Sequence, residues 1–258
     1  CKIAIGNVSG IADENDVKKT PVAFDAIGTM VIDSENNLYV QNRLTSVQRI
    51  SAAGTQIDMS PSFILVFNKE GNLQYTIGQT GMPTVPFYYI EYLEIDNNDR
   101  LFVIARTYDI WSVYRFDKRQ RDYYMTFTKT HFVDMVDANT SYTGKIENIK
   151  ILSSGDGFVL SVAYYHNTRF KYRKIYSYDI KSSKPTEILK ISEPKNELFT
   201  VIQNKYIYLW NVEDTNDVKF LLYNFDGTII GNIRCKFPQQ VLFSDIGITN
   251  ESKLYSCN

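Results

Sequence analysis

Asp33-Ser34-Glu35-Asn36-Asn37-Leu38-Tyr39-Val40 comes back further along the chain as Asp96-Asn97-Asn98-Asp99-Arg100-Leu101-Phe102-Val103. Both copies keep the leading Asp, a polar turn, the Leu and an aromatic-Val pair. A second phrase, apolar and aromatic and closing on Asn or Asp, follows each copy: Leu65-Val66-Phe67-Asn68, then Val113-Tyr114-Arg115-Phe116-Asp117. It recurs as Ile175-Tyr176-Ser177-Tyr178-Asp179 and as Leu222-Tyr223-Asn224-Phe225-Asp226. Short β-type runs joined by polar turns and repeating every ~45–65 residues are the pattern of propeller blades. The expected fold class is all-β: a β-propeller of four-stranded, NHL- or WD40-like blades.

Working outward from these phrases, residues 1–258 read as a single propeller domain with blades at 24–78, 87–128, 146–191 and 198–235. Partial blades stand at 2–6 and 241–258. Paired Asn at 36–37 is good hairpin chemistry because Asn tolerates positive φ. Runs that are apolar on both faces, such as Leu101-Phe102-Val103-Ile104-Ala105, suit strands packed between neighbouring sheets. Segment 43–61 reads as a long irregular loop, 131–143 as a polar connector with a turn of helix, and 9–19 as a short turn. Four blades and these partial ones do not close a ring, so further pieces of the natural protein are expected beyond both ends.

Composition removes several functions. A net charge of −1, with acidic and basic residues interspersed, does not form the basic stripe of a nucleic-acid binder. The run Lys118-Arg119-Gln120-Arg121 reads as a solvated hairpin tip. No apolar run reaches the ~18 residues of a membrane span. Three Cys are too few for a disulfide framework. Cys235 and Cys257 sit in strand-like runs as small hydrophobes. Cys1 reads equally as the acylated first residue of a mature lipoprotein or as the point where a trimmed chain begins.

Catalytic chemistry has little to work with. The chain has two His, His131 and His166, in unlike settings, and no nucleophile elbow, phosphate loop or zinc-protease motif. The turns at Asp33–Asn37 and Asp96–Asp99 lack the ligand spacing and closing Glu of a calcium loop. No catalytic residue, metal or cofactor is therefore expected.

The second blade carries a more specific pattern: Gly78-Gln79-Thr80-Gly81, Pro86-Phe87, Ile90-Glu91, Arg106 and Trp111-Ser112-Val113-Tyr114-Arg115-Phe116-Asp117. Together with Ile27-Gly28-Thr29-Met30-Val31-Ile32-Asp33 and Arg43-Leu44 upstream, it resembles a family of spirochaetal β-propeller lipoproteins. The resemblance is strong over 22–128 and looser beyond. It implies a lipid-anchored propeller on the outer membrane, facing the periplasm, without catalysis. Some such lipoproteins serve as accessory subunits of the outer-membrane β-barrel assembly machinery, and that machinery is the protein partner it implies. The anchor would be Cys1, although 2–22 look in family terms like the last strand of an earlier blade.

The residues themselves suggest where a partner would bind. Glu91 and Arg106 begin and end inner strands of one blade, so they are expected to meet. Tyr88, Tyr89, Tyr92, Tyr108 and Trp111 surround them, and alternation cannot bury every one. Because Tyr, Trp and Arg are enriched at interaction hot spots, these seven residues form the expected partner-binding patch. The expected function is a non-enzymatic scaffold that binds protein, not nucleic acid. The rival is a propeller that binds a small ligand or metal, or a propeller hydrolase.

Overall fold

A computed structural model describes residues 5–6, 22–24, 26–43, 47–50, 56–59, 62–78, 87, 89–107, 110–117, 130–132, 135–137, 139–182, 184–192, 197–202, 206–214, 217–236, 246–248 and 254–256. These residues form strands and turns only. Among them no helix is long and apolar enough to cross a membrane. The chain divides into two compact units, Cys1–Phe132 and Val133–Asn258, each described by itself.

The first unit opens with β1 (Ile5–Gly6), paired parallel to β2 (Val22–Ala23). Its first four-stranded sheet is the antiparallel meander β3 (Ala26–Ile32), β4 (Leu38–Arg43), β7 (Ser62–Phe67) and β8 (Leu73–Ile77). The stretch expected to be an irregular loop instead holds a hairpin, β5 (Val47–Ile50) and β6 (Gln56–Met59), paired from Val47↔Met59 to Ile50↔Gln56. Its sequence is polar enough to pass for coil, yet cross-strand pairing satisfies its backbone groups. The second sheet is β9 (Ile90–Ile95), β10 (Leu101–Thr107), β11 (Ile110–Phe116) and β12 (Thr130–Phe132).

The Asp-led phrase is what folds each inner hairpin. Asp33 Oδ1 accepts from the amides of Glu35 and Asn37, and Asn36 sits at φ 64°. Asp96 repeats the device with the amides of Asn98 and Arg100, and Asp99 sits at φ 56°. An Asx carboxylate thus replaces the missing ladder bonds of the turn. The two turns are also joined, since Ser34 donates from its amide (2.8 Å) and its hydroxyl to the Asp99 carboxylate.

Between these sheets lies the core of the unit, with Tyr39, Ile64, Val66 and Ile77 from one side and Leu93, Leu101, Val103 and Phe116 from the other. Phe87 is its keystone: 1% exposed, it meets Tyr114 edge-on at 5.5 Å and Phe116 at 6.3 Å. Gly78 makes room for that ring, because its φ is +84° and a Cβ would lie 2.6 Å from Phe87 Cδ2. Gln41, 1% exposed, crosses the same junction. It accepts from the Thr29 amide and donates to Ser62 Oγ and to the Ile90 carbonyl. A Cβ on Gly28 would collide with its amide at 2.2 Å, so the side chain needs glycine there.

The second unit holds a five-stranded antiparallel meander: β13 (Met135–Asp137), β14 (Tyr142–Ile151), β15 (Gly157–His166), β16 (Arg169–Asp179) and β17 (Lys184–Ile191). The connector expected to hold a turn of helix therefore contributes β13, because β14 begins at Tyr142 and its first residues offer an edge that β13 pairs from Met135↔Gly144 to Asp137↔Tyr142. The next sheet is β18 (Glu197–Ile202), β19 (Tyr206–Asp214), β20 (Asp217–Asn224) and β21 (Ile229–Lys236). A last hairpin pairs β22 (Ile246–Ile248) with β23 (Leu254–Ser256). Val159, Ile175, Ile188, Leu189 and Ile207 form the core of this unit, with Leu221, Tyr223 and Phe225 packed on it.

Candidate partner-binding site

The site expected on the second sheet assembles where β9 starts and β10 ends. Ile104 pairs with Tyr92 and Ala105 with Ile90, so Glu91 is the extra residue of a β-bulge. A bulge re-aims the side chain it frees. Here the Glu91 carboxylate meets Arg106 Nε at 2.9 Å. The Arg106 amide donates to the Tyr89 carbonyl at 2.8 Å, which fixes the strand end beneath the ion pair.

Arg106 pairs across the ladder with Trp111, and its guanidinium lies 5.6 Å from the centroid of that ring. Trp111 is only 3% exposed, so it acts as a floor for the guanidinium, while the Arg106 side chain is 47% exposed. Arg43, at the end of β4, places its guanidinium 5.0 Å from the Tyr89 ring centroid. Its Nε is buried without a hydrogen-bond partner. Burial pushes the Glu91 carboxyl above its usual range, with Arg106 and Arg43 opposing the push. Burial, and then the negative charges of Glu91 and Glu94, raise the Tyr92 phenol to about 12. The result is a guanidinium held between a carboxylate and an indole, beside a second guanidinium on a phenol. It is suited to cation–π and charge-assisted contacts.

Tyr89, Glu91, Tyr92, Arg106 and Trp111 are thus brought together. Tyr88, Tyr108 and Cys1 lie outside the described residues. His166 is exposed and its ring lies 5.1 Å from that of Tyr142. Cys235 is a free, half-buried thiol. Among the described residues, no group of three His, Cys, Asp or Glu is placed to hold a metal ion.

Sequence reading missed a second polar cluster, in the five-stranded sheet. Asp137 Oδ2 accepts from Tyr172 Oη at 2.6 Å and from Lys174 Nζ at 2.9 Å, and Lys174 reaches Glu187 at 2.9 Å. Tyr164 and Tyr176 share a hydroxyl–hydroxyl bond of 2.7 Å, and Lys174 Nζ lies 5.6 Å from the ring centroids of both Tyr164 and Tyr172. The Tyr172 hydroxyl, then Lys174, hold the Asp137 carboxyl down to about 2. Burial alone would lower Lys174, but its bonds to Asp137 and Glu187 win and raise it. Burial and the Tyr164 hydroxyl raise Tyr176. Each charge has an opposite partner, so the cluster ties β13 to β16 and β17. A signal for it was present: Asp137-Ala138-Asn139 echoes the Asp-led turns, and Asp137 Oδ1 accepts from the Asn139 amide at 3.0 Å.

The sequence matches no protein-family model and no curated protein. In structure the chain is similar to β-propeller proteins. One is a protein provisionally named a 6-phosphogluconolactonase from Bacteroides uniformis, at 12% identity and TM-score 0.49, covering 91% of this chain and 78% of that one. Another is a chain of the mitotic checkpoint complex, at 11% identity and TM-score 0.45, covering 100% and 94%. A third is the periplasmic gluconolactonase of Pseudomonas aeruginosa, at 10% identity and TM-score 0.41, covering 85% and 73%. The likeness is one of fold. The strand ladders themselves give an all-β architecture of four-stranded antiparallel meanders.

Proposed function

We propose that this chain is a non-enzymatic binding scaffold of the cell envelope, with a protein partner docking on the arginine–aromatic cluster of the second sheet. The observation behind this reading is Arg106, half exposed yet oriented by Glu91 on one side and the Trp111 ring on the other. Ordering a long side chain before binding lowers the entropy cost of association. A guanidinium over an indole is a hot-spot composition. The motif resemblance extends the reading to a spirochaetal lipoprotein that is lipid-tethered to the outer membrane, faces the periplasm and assists β-barrel assembly.

The test uses the immobilised protein as bait for detergent-solubilised spirochaetal envelopes, with mass spectrometry of what is retained. The barrel-assembly machinery is expected to be recovered, and to be lost with Arg106→Ala. That variant loses about 1–3 kcal/mol of stability, because the largely buried Glu91 carboxylate loses its partner, and circular dichroism checks that it remains folded. Equal recovery on wild type and variant, or no specific recovery on wild type, overturns the reading.

A further inference from the structure

The second unit holds a cleft of about 490 Å³ that shares no residue with the arginine–aromatic cluster. Its described lining is Thr143, Lys145, Tyr165, Asn167 and Thr168. That volume lies within the ~300–1,000 Å³ range of small-molecule sites, and the lining combines one aromatic ring with a lysine, a carboxamide and two threonines. We propose that the cleft binds an acidic saccharide, with Tyr165 as the plate for a sugar ring and Lys145 as the counter-charge to its carboxylate.

The register brings these residues together. Tyr165 pairs with Thr143 on β14 and with Phe170 on β16, and the Phe170 ring stands against it at 6.0 Å and 80°. The Tyr165 hydroxyl donates to Glu147 at 3.4 Å, and Arg173 Nε donates to the same carboxylate at 2.8 Å. The edge-on Phe170 ring and this long contact favour one orientation of the phenol before any ligand arrives. A pyranose presents polarised C–H bonds on one face, which suit the negative face of an aromatic ring. Its hydroxyls need both donors and acceptors; the Thr143 hydroxyl and the Asn167 carboxamide supply both, and the Thr168 hydroxyl, which donates to the Asn167 carbonyl at 2.6 Å, offers an acceptor. Lys145 adds a compact positive charge that selects an anionic sugar.

The lip of the cleft is strained. His166 pairs with Arg169, so Asn167 and Thr168 form a two-residue hairpin loop with φ of 47° and 64°. Such a loop ordinarily carries glycine at its second position, and a β-branched residue there is an outlier. Strain kept at the lip of a cleft is what a binding role explains.

Calorimetric titration of the whole chain tests the proposal, with a hyaluronan tetrasaccharide as acidic probe, chitotetraose as neutral probe and AMP as the aromatic anion without a sugar chain. The acidic probe is expected to bind best. Lys145→Gln weakens it about three- to fivefold, the scale of one exposed charge pair. Tyr165→Ala weakens both saccharides about tenfold. Thr168→Gly is expected to raise the melting temperature by about 2–4 °C while weakening binding, because it relieves strain and removes a hydroxyl. This loop variant keeps the test decisive if Tyr165→Ala does not fold. The proposal falls if the acidic probe gives no heat at millimolar concentration, if Thr168→Gly and Lys145→Gln leave its affinity unchanged, or if AMP binds and both saccharides do not.

Discussion

Asp137 shows how much one side chain can organise: its carboxylate caps the turn to Asn139 and receives both Tyr172 and Lys174. Asp137→Asn keeps the size and the turn bond but removes the charge. Urea denaturation at pH 7 is expected to register a loss of about 1–3 kcal/mol, the cost of leaving a buried charged partner poorly matched. Lys174 retains Glu187, which keeps the loss at that scale. Gly78 acts by its absence of a side chain. Gly78→Ala forces a Cβ into a left-handed backbone and to 2.6 Å from Phe87 Cδ2. It should destabilise by at least about 1–3 kcal/mol, read by the same denaturation midpoint. Both residues of the Gly78/Phe87 pair belong to the motif that carried the family resemblance, and their role here is to pack two sheets together.

At the level of elements, burial is uneven across each sheet. β10 is buried from Leu101 to Ala105, and β15 from Gly157 to Tyr164, as central strands must be. β21 stands at the edge of its sheet with Ile229, Ile230 and Ile233 at 52%, 45% and 58% exposure. An apolar edge strand is a template for unwanted pairing, and natural edges are blunted with charge. The double variant Ile229→Lys/Ile233→Lys is expected to change stability by no more than ~0.5 kcal/mol per site. It should also raise the concentration at which light scattering first detects self-association. A cooperative loss of stability instead would mean these side chains are covered in solution. The hairpin β5–β6 belongs to the same scale: it was illegible as strand because polar residues dilute its alternation, and only pairing identified it.

For the whole molecule, the carboxylate shifts resolved among the described residues differ in sign between the units. Asp137, Asp179, Asp217 and Asp226 are all lowered, first by hydrogen bonds from Tyr172, the Ser182 amide, Arg234 and Thr228 respectively, and all lie in the second unit. Glu91, in the first unit, is raised by burial. A lowered carboxylate stabilises the fold above its unfolded pKa of 3.8 and loses that contribution as pH falls through its folded value, about 2 for Asp137. A raised one has the opposite sign: its contribution is present below the unfolded pKa and is lost as pH rises through the folded value. Acid should therefore weaken the second unit first. Hydrogen exchange followed between pH 5 and 2 (roughly the window of carboxylate linkage) is expected to show its peptides losing protection at higher pH than those of the first unit. The reverse order would contradict this assignment of charges.

The sequence by itself determined the inner hairpins and the turns that close them, though not the strands of β5–β6 or β13. The Asp-led phrases read at 33–40 and 96–103 fold as hairpins capped by those same Asp side chains, because an Asx turn is made by residues adjacent in the chain. It also placed Glu91 and Arg106 at the ends of one inner hairpin, where the bulge then aims Glu91 at Arg106. Tertiary structure alone decided which distant side chains share a face. The ladders shift register between Ile104 and Ala105, between Ile146 and Asn148, between Tyr164 and Tyr165, and between Ile175 and Tyr176. Each shift moves the side chains beyond it to the opposite face of the period-2 pattern, so simple alternation cannot foresee them. That is why Asp137, Lys174 and Glu187 meet from three separate strands, with only the Asp-led turn at 137–139 to hint at it, and why Tyr165 faces Thr143 and Phe170 across the cleft strands, with nothing in the local sequence to announce it.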